Sequence, residues 1–339
     1  MATRGVAILR GGVAEAAATA ATAERLGYHS AWSPEFYTRS AVVSLAAMAQ
    51  TTSSARIGSS IAYATGRTPL VLATEARSLD ELSGGRLAYG LGTGTTRMMA
   101  DWHGVDPAGP ASRMEELLPL LRRLWRLHEG PVRHHGRFYH VDVTPTAEMT
   151  APARAEIPLF TAGVNSRMVQ VAGRVADGFL GHPLFTLRYY DKVVRPAIEA
   201  GAARAGRAAS RVEIAALVIC SAAEDETQAR REAAAQISFY AAPRTYATVL
   251  DVAGFAAAGE RIRAAFGARD FGAMAAAVPD EMIDAMSAAG TASQVAAKLA
   301  AFGRHVDHLI VYPASFGMTD ERSRQVTADL LRAAAPAAS

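Results

Sequence analysis

Side chains that could transfer a proton follow several short apolar segments of this sequence. Glu35 and His182 each come just after such a segment, and Tyr63 and His103 lie in the stretches beyond two others. Carboxylates, imidazoles and phenols act as general acids or bases when they are held beside a reacting atom. Glu35 is the first candidate for that role, with the other three behind it. Glu35 can also be interpreted as a solvated loop residue, and the two histidines as satisfied structural groups.

A glycine-containing segment with Thr93 and Gly94 could bring a planar ligand or a phosphate close to the main chain. It follows the apolar run 86–91. The segment is not a dinucleotide-binding fingerprint, because Thr95 stands where the third glycine of that pattern is required. A plain turn between a strand and a helix is the alternative interpretation.

A second such segment, Gly163, Val164 and Asn165, precedes a stretch of helical periodicity that begins near Ser166. The first amides of a helix have no partner within the helix, and they favour an anion. The pattern therefore indicates an anion site. An ordinary helix cap, with Asn165 or Ser166 as the capping residue, explains it equally well.

Several kinds of site have no support in the sequence. The one cysteine, Cys220, excludes a disulfide framework and a cysteine-cluster metal site. No two of the nine histidines have the HExxH spacing of zinc enzymes, and no GxSxG motif is present. We therefore expect neither a metal site nor hydrolase chemistry. Cys220 lies in an apolar run, where a buried and inert thiol is expected.

The charge balance gives no sign of a polyanionic partner. The formal net charge is +3, and the arginines are scattered along the chain rather than clustered, so we expect no nucleic-acid binding. No apolar run approaches about 18 residues, and the apolar stretch at the N-terminus is too short for a secretory signal. We expect a cytoplasmic protein with no membrane partner.

Short apolar runs alternate with longer segments of helical periodicity, which is typical of parallel βα units. Strands are predicted at 5–9, 28–33, 56–62, 86–91, 158–162, 178–180, 212–220 and 308–312. Helices are predicted at 13–26, 40–52, 69–82, 112–127, 166–175, 187–201, 291–302 and 320–334. This order predicts an α/β fold, a (β/α)8 TIM barrel, in which catalytic groups lie at the C-terminal ends of the strands.

Two segments exceed what such a barrel needs. The stretch 129–157 is rich in Pro, Gly and His, and we expect it to be irregular with a short hairpin. The Ala-rich stretch 222–290 has a weak strand signal, and it predicts a helical insertion between strands 7 and 8. The whole chain, 1–339, is expected to form a single barrel domain.

The strand ends carry recognisable motifs in a fixed order. They are LGY (26–28) through WSPE (32–35), ARIGSS (55–60), LSGGRL (82–87) through GLGTG (90–94), RMEE (113–116), PLFTAGVNSRMVQVAGRVADG (158–178) and the segment from GTAS (290–293) to 308. Together they cover almost the whole chain. This ordered set resembles the bacterial luciferase-like monooxygenase superfamily, and especially its coenzyme F420-dependent oxidoreductase branch.

The resemblance implies a flavin or 5-deazaflavin at the strand ends, with the substrate stacked against its ring. The residues that it implies for cofactor binding are Glu35, Ser60, Ile61, Thr93, Gly94, Gly163, Val164 and Asn165. Within this set, Ser60 and Ile61 match the position of a non-proline cis peptide that supports one ring face. The last three match the amides that hold the cofactor phosphate, in agreement with the helix argument above.

Two positions depart from the deazaflavin-dependent sugar-phosphate dehydrogenases of this family. Phe36 replaces the histidine that follows the acidic residue after strand two, and Thr95 replaces a glutamate after the GTG segment. These departures argue against sugar-phosphate oxidation.

The function that the resemblance implies is hydride transfer between C5 of coenzyme F420 and a small organic substrate. The substrate and the direction of the reaction stay open. One alternative is an FMN-dependent monooxygenase, which would activate oxygen. Another is a noncatalytic flavin-binding barrel protein. The family also makes a homodimer the expected assembly.

Overall fold

The structure, a computed structural model, describes residues 2–336. The strands are β1 (Thr3–Ala7), β2 (Ser30–Ser33), β3 (Arg56–Ser59), β4 (Ala62–Tyr63), β5 (Leu87–Gly92), β6 (Val132–His135), β7 (His140–Val143), β8 (Leu159–Ala162), β9 (Gly178–Gly181), β10 (Glu213–Ala222), β11 (Ser287–Gly290) and β12 (His308–Pro313). The helices are α1 (Val13–Arg25), α2 (Ala41–Thr51), α3 (Pro69–Leu82), α4 (Thr96–His103), α5 (Pro110–Trp125), α6 (Ser166–Val175), α7 (Leu187–Tyr189), α8 (Arg195–Arg204), α9 (Glu226–Ala241), α10 (Ala247–Ala253), α11 (Ala256–Gly267), α12 (Phe271–Ala276), α13 (Asp280–Met286), α14 (Ala292–Phe302) and α15 (Asp320–Ala333). Short 3-10 turns lie at Leu127–Glu129, Ala209–Arg211 and Arg244–Tyr246, and a π-helical turn lies at Tyr190–Val194.

The chain groups into two compact units. The first unit contains the residues up to 31, 180–196, and those from 214 onwards. The second unit contains 32–179 and 197–213. That the whole of 1–339 forms a single domain stays a prediction.

In the first unit, β11, β10, β12 and β1 pair in that order and are all parallel. Thr3 on β1 and Ala215 on β10 both lie opposite His308, at the start of β12. The His308 side chain is fully buried, and its two ring nitrogens are each 2.7 Å from a hydroxyl, Thr3 Oγ1 and Ser30 Oγ. A buried histidine with both nitrogens satisfied is a stable core residue.

In the second unit, β3, β5 and β8 pair in that order and are parallel, and β4 continues alongside β5. Ala62 on β4 lies opposite Leu91 on β5, and Leu91 lies opposite Thr161 on β8. The C-terminal ends of β4, β5 and β8 are therefore neighbours. Strands β6 and β7 form an antiparallel pair within 129–157, which confirms the predicted hairpin.

Two helices of the second unit begin directly after a capping residue. Thr68 and Asn165 are the N-caps of α3 and α6, and each side-chain oxygen accepts a hydrogen bond from the third amide of its helix. Such a cap stabilises a helix by about 1 kcal/mol. The predictions of helices at 69–82 and 166–175 are confirmed with the same bounds.

Elsewhere the prediction needs correction. The strand predicted at 56–62 is interrupted, because Ser60 and Ile61 separate β3 from β4. The helix predicted at 187–201 includes the π-helical turn Tyr190–Val194. Helix α4 was not predicted. Its sequence, TRMMADWH, is only eight residues long and buries one residue, Met99. A segment this short is hard to recognise as a helix from its apolar pattern.

Five helices, α9 to α13, occupy most of the stretch 222–290. The last four residues of that stretch form β11 instead of helix, and Ser287 of β11 lies opposite Ile219 of β10. The sequence SAAG has no strand propensity of its own, so pairing with β10 decides its conformation. Within residues 2–336, none of the helices combines the length and apolarity that a membrane crossing requires.

Candidate active site

The turn between β3 and β4 contains a cis peptide bond, Ser60–Ile61, at the position that the family resemblance implies. Main-chain atoms at the end of β2 and just after it bind both sides of this turn. The Ser60 amide donates to the carbonyl of Ser33 at 2.9 Å, and the Glu35 amide donates to the carbonyl of Ile61 at 3.0 Å. The segment that carries Glu35 is thus tied to the turn.

Both oxygens of the Glu35 carboxylate accept hydrogen bonds. Its Oε2 accepts from the Tyr63 amide at 2.7 Å and from Arg67 Nη1 at 2.8 Å, and its Oε1 accepts from Arg67 Nη2. The side chains of Glu35 and Arg67 are only 10% and 17% exposed. A bidentate pair of this kind is strong and geometrically specific.

The ion pair continues into a wider set of contacts. Arg67 Nε lies 3.2 Å from a Glu75 oxygen, and the hydroxyl of Tyr89 donates to Glu75 at 3.1 Å. The hydrogen bond with Glu35 raises the pKa of Arg67, and burial raises the pKa of Tyr89. Glu35, Arg67, Glu75 and Tyr89 are called the Glu35–Arg67 network below. Its hydrogen bonds and ion pairs connect the turn after β3 to α3 and β5.

Arg67 and Glu75 were not among the residues singled out in the sequence. Arg67 lies 32 residues from Glu35, and no motif joins the two. The one sequence signal is an arginine placed four residues after Tyr63, just before the Thr68 cap of α3. That signal is too common to identify a partner for Glu35.

Thr93 and Gly94 lie directly after β5, beside Tyr63. Gly94 has φ +64°, and a Cβ at this residue would lie 2.7 Å from the Met99 side chain. The positive φ favours glycine here, whereas the Met99 methyl group is the end of a flexible side chain and could move aside. Thr95 is the N-cap of α4, and its hydroxyl accepts from the Met98 amide at 3.2 Å. The residue that departs from the sugar-phosphate dehydrogenase pattern is thus used as a helix cap.

His103 ends α4 and meets the Tyr63 ring edge-on, with ring centroids 5.2 Å apart. Tyr63 is buried, whereas His103 is exposed. The structure therefore brings these two proton-transfer candidates together, next to Glu35, in the second unit. No hydrogen bond that the structure shows joins His103 to Glu35.

Gly163, Val164 and Asn165 connect β8 to α6. The Asn165 side chain accepts from the Met168 amide at 2.9 Å, which confirms the cap interpretation for that side chain. Arg167, in the first turn of α6, donates hydrogen bonds to Glu115 from Nη1 and Nη2, and this contact lowers the pKa of Glu115. An anion at this helix end would therefore be held by main-chain amides rather than by Arg167.

Three hydroxyl groups in the second unit are buried without a hydrogen-bond partner within the described residues 2–336. Tyr139 Oη lies between β6 and β7, whereas Ser60 Oγ lies at the cis turn and Thr161 Oγ1 on β8. Burying an unpaired hydroxyl costs about 1–3 kcal/mol. A polar ligand that pairs with such groups removes this cost, so the Ser60 and Thr161 hydroxyls fit a site for a polar cofactor.

His182, the remaining candidate, belongs to the first unit, directly after β9. Its ring stacks on Tyr246, with centroids 4.3 Å apart and planes at 29°, and it meets Tyr240 edge-on at 4.9 Å. The hydroxyl groups of Tyr240 and Tyr312 are hydrogen-bonded to each other. We call His182, Tyr240, Tyr246 and Tyr312 the His182 cluster. The three tyrosines were not predicted as site residues.

No group of three or more His, Cys, Asp or Glu side chains suited to a metal ion occurs in residues 2–336. Cys220 is buried within β10, and burial raises the pKa of its thiol to about 12. This confirms the prediction that the thiol is buried.

Comparison with known proteins defines the class. Among solved structures, the coenzyme F420-dependent tetrahydromethanopterin reductase from Methanopyrus kandleri matches with a TM-score of 0.81 and 25% identity, over 97% of this chain and 98% of that one. The prediction of an α/β fold of the (β/α)8 barrel type is confirmed by this likeness.

Sequence comparison then identifies the family. Residues 1–308 match the luciferase-like monooxygenase family. An uncharacterized protein of Mycobacterium tuberculosis is 31% identical over 296 residues, which are 85% of this chain and 86% of that protein. The 5,10-methylenetetrahydromethanopterin reductase of Methanopyrus kandleri is 29% identical over 295 residues, 82% of each chain. The chain belongs to the luciferase-like monooxygenase family of enzymes.

Proposed function

We propose that this protein is an oxidoreductase that transfers a hydride between coenzyme F420 and a small organic substrate. The observation that carries the proposal is the arrangement at the ends of three neighbouring strands of the second unit. The cis turn, in which the Ser60 hydroxyl has no partner within residues 2–336, follows β3. The Thr93–Gly94 segment follows β5, and the start of α6 follows β8. The family's F420-dependent members support the same cofactor.

Each part of this arrangement has a chemical role in the proposal. Ser60 and Ile61 would support one face of the cofactor ring, and Thr93 and Gly94 would line its edge. The first amides of α6, after Gly163, Val164 and Asn165, would hold the cofactor phosphate. When bound, the deazaflavin would supply or accept the hydride at C5.

Glu35 has a positioning role in this proposal. Its two oxygens are already bonded to Arg67 and to the Tyr63 amide, so it is an ion-paired carboxylate rather than a free proton carrier. It would hold the cis turn in the geometry that the ring requires. Tyr63 and His103, which lie beside it, stay candidates for proton transfer.

Binding experiments test the cofactor. The protein is titrated separately with F420, with the phosphate-free deazaflavin riboside and with FMN, and fluorescence quenching gives each Kd. We expect micromolar binding of F420 and at least about tenfold weaker binding of the riboside, because one charge-assisted contact is worth about 1.5–3 kcal/mol. Micromolar binding of FMN with none of F420 would instead favour the FMN-dependent monooxygenase.

A pair of variants tests the site. Ser60→Ala removes the unpaired buried hydroxyl, and we expect it to weaken F420 binding about threefold to tenfold. Ser210→Ala, at an exposed position, is the matched control and should leave the Kd unchanged. Equal Kd values in both variants would exclude Ser60 from the site. Tight F420 binding without turnover of any substrate would support the noncatalytic alternative.

We also propose that the protein forms a homodimer. Val43 at the start of α2 and Leu70 and Val71 at the start of α3 are 38–54% exposed, which is a high exposure for large aliphatic side chains. Sedimentation equilibrium of the wild type, with the Val43→Glu variant as comparison, tests the dimer. A monomer in both would contradict it.

A further inference from the structure

The His182 cluster, within the first unit, has the position of a ligand-binding group. His182 directly follows β9, and Tyr312 is the penultimate residue of β12. Tyr240 lies near the end of α9, and Tyr246 ends a 3-10 turn. In barrels of this type, ligands bind at the C-terminal ends of the strands, where His182 and Tyr312 both lie.

The hydrogen bonding of His182 fixes which ring nitrogen carries the proton. Nδ1 accepts a hydrogen bond from the Leu184 amide at 3.2 Å, so the neutral ring carries its proton on Nε2. Burial lowers the pKa of His182 to about 3, with no charged side chain contributing within residues 2–336. Nε2 has no partner among those residues. His182 thus presents one uncharged N–H donor.

Aromatic rings define the space around this donor. Tyr246 lies flat against the imidazole, and Tyr240 meets it at 86°. The hydrogen bond between the Tyr240 and Tyr312 hydroxyls fixes the Tyr240 ring from the strand side. His182 and Tyr246 are both partly exposed, so the cluster is not sealed within the core. A planar ligand could contact these rings and reach Nε2.

We propose that the His182 cluster binds an uncharged, planar carbonyl compound, whose oxygen accepts a hydrogen bond from His182 Nε2–H. The aromatic rings favour an aryl or conjugated ligand. The neutral donor favours a carbonyl oxygen over a carboxylate or phosphate, because an anion would lose its hydration without gaining a cationic partner. That this ligand is the substrate rests on the proposed function, whereas its binding does not.

Acetophenone and benzoate form a matched pair of probes, since they share the ring and differ in charge. Each is titrated into the full-length protein, labelled with 15N-histidine and without cofactor, while the imidazole nitrogens are followed by NMR. The signal of His182 is the one missing in His182→Phe. We expect acetophenone to shift the Nε2 resonance and benzoate to leave it in place. A shift with benzoate as large as that with acetophenone, or none with acetophenone, overturns the proposal.

Variants measure the contribution of each group. His182→Phe keeps an aromatic ring and removes the donor, and we expect about a tenfold higher Kd for acetophenone. His135→Phe, at an exposed position on β6, is the control and should bind as the wild type does. Tyr246→Leu keeps the donor and removes the stacked ring, so it provides a second measurement if His182→Phe does not fold. An unchanged Kd in either folded variant overturns the proposal.

Activity separates this inference from the proposed function. With reduced F420 and acetophenone, His182→Phe should raise KM about tenfold, while the Kd for F420 stays that of the wild type. A wild type that binds acetophenone but not F420 would refute the cofactor proposal and leave the binding site supported. An increase in the F420 Kd of His182→Phe, with the acetophenone Kd unchanged, would overturn the inference.

Discussion

The Glu35–Arg67 network of the second unit and the His182 cluster of the first keep their ionisable groups in opposite states. In the network, a partly buried carboxylate faces a guanidinium, and the hydrogen bond with Glu35 raises the pKa of Arg67 and keeps it charged. In the cluster, a histidine is surrounded by tyrosine rings, and burial keeps it neutral. Removal from water therefore leaves one ionisable side chain charged and another neutral, and the partners of each side chain decide which of the two forms is stable.

This difference changes the interpretation of the two candidates. The two carboxylate oxygens of Glu35 are bonded to Arg67 and to the Tyr63 amide, so this side chain can hold those neighbouring groups in place. The neutral His182, whose Nε2–H has no partner within residues 2–336, can donate a hydrogen bond to a ligand over the whole neutral pH range. Four predictions follow from this contrast.

Removing the cation should have the largest effect. Arg67→Leu leaves the carboxylates of Glu35 and Glu75 partly buried without a counter-ion, and we expect a loss of about 3 kcal/mol in unfolding free energy. Urea denaturation measures it. The control is Arg97→Leu, whose i,i+4 pair with Asp101 is 90% exposed on the arginine side, and which should cost less than about 0.5 kcal/mol. Similar losses of unfolding free energy in the two variants would show that the Glu35–Arg67 network stabilises the fold no more than an exposed ion pair does.

Glu35→Gln tests the positioning role directly. The amide retains an oxygen for the Tyr63 amide but loses the charge that faces Arg67, so we expect about 2 kcal/mol lower stability. Single-turnover hydride transfer in the cofactor-saturated variant should change by less than about threefold. A decrease of about 100-fold would instead identify Glu35 as a proton-transfer group.

The pH dependence of stability should reveal His182. Because its pKa is lowered from 6.5 in the unfolded chain to about 3 in the folded protein, the unfolded chain takes up the proton first as the pH falls. Stability from this residue is present above pH 6.5 and is lost as the pH decreases from there towards 3. Compared with His182→Phe, the wild type should lose up to about 1.4 kcal/mol per pH unit in that window.

Parallel urea titrations at pH 7, 6 and 5 provide the measurement, with His135→Phe as the control for an exposed histidine. A difference between wild type and His182→Phe that stays constant over this range would contradict a neutral, desolvated His182.

The smallest effect concerns two buried tyrosine hydroxyls. Tyr89→Phe removes the hydrogen bond to Glu75 at the edge of the network, which should cost about 1 kcal/mol. Tyr190→Phe removes a buried hydroxyl that has no partner within residues 2–336, and it should be neutral or stabilising. Thermal unfolding of both variants provides the comparison. A larger loss for Tyr190→Phe would reverse the expected order.

Much of the fold could be predicted because its signals are local. The Thr68 cap followed by Pro69, and the Asn165 cap, define α3 and α6 from neighbouring residues alone. The elements that could not be predicted were those with no local signal in the sequence. The residues of β11 are small, and α4 exposes nearly all of its side chains, so their conformation depends on tertiary contacts.

The candidate site was predicted in part for the same reason. Thr93, Gly94 and Gly163 follow strands that could be located from apolar runs, and strand ends of a barrel meet at one end. Arg67, in contrast, reaches Glu35 across 32 residues of chain. Tyr240 and Tyr246 lie in an Ala-rich stretch where nothing in the spacing marks them as partners of His182.

The order of residues by itself determined the alternation of strands and helices, because periodicity and capping act over a few residues. The ordered motifs also determined the family and the strand ends at which polar groups lie. Only the tertiary structure decided which of those groups are charged, bonded or free. A carboxylate paired with Arg67 and a histidine packed against Tyr246 differ through desolvation and proximity, and both depend on residues that are distant along the chain.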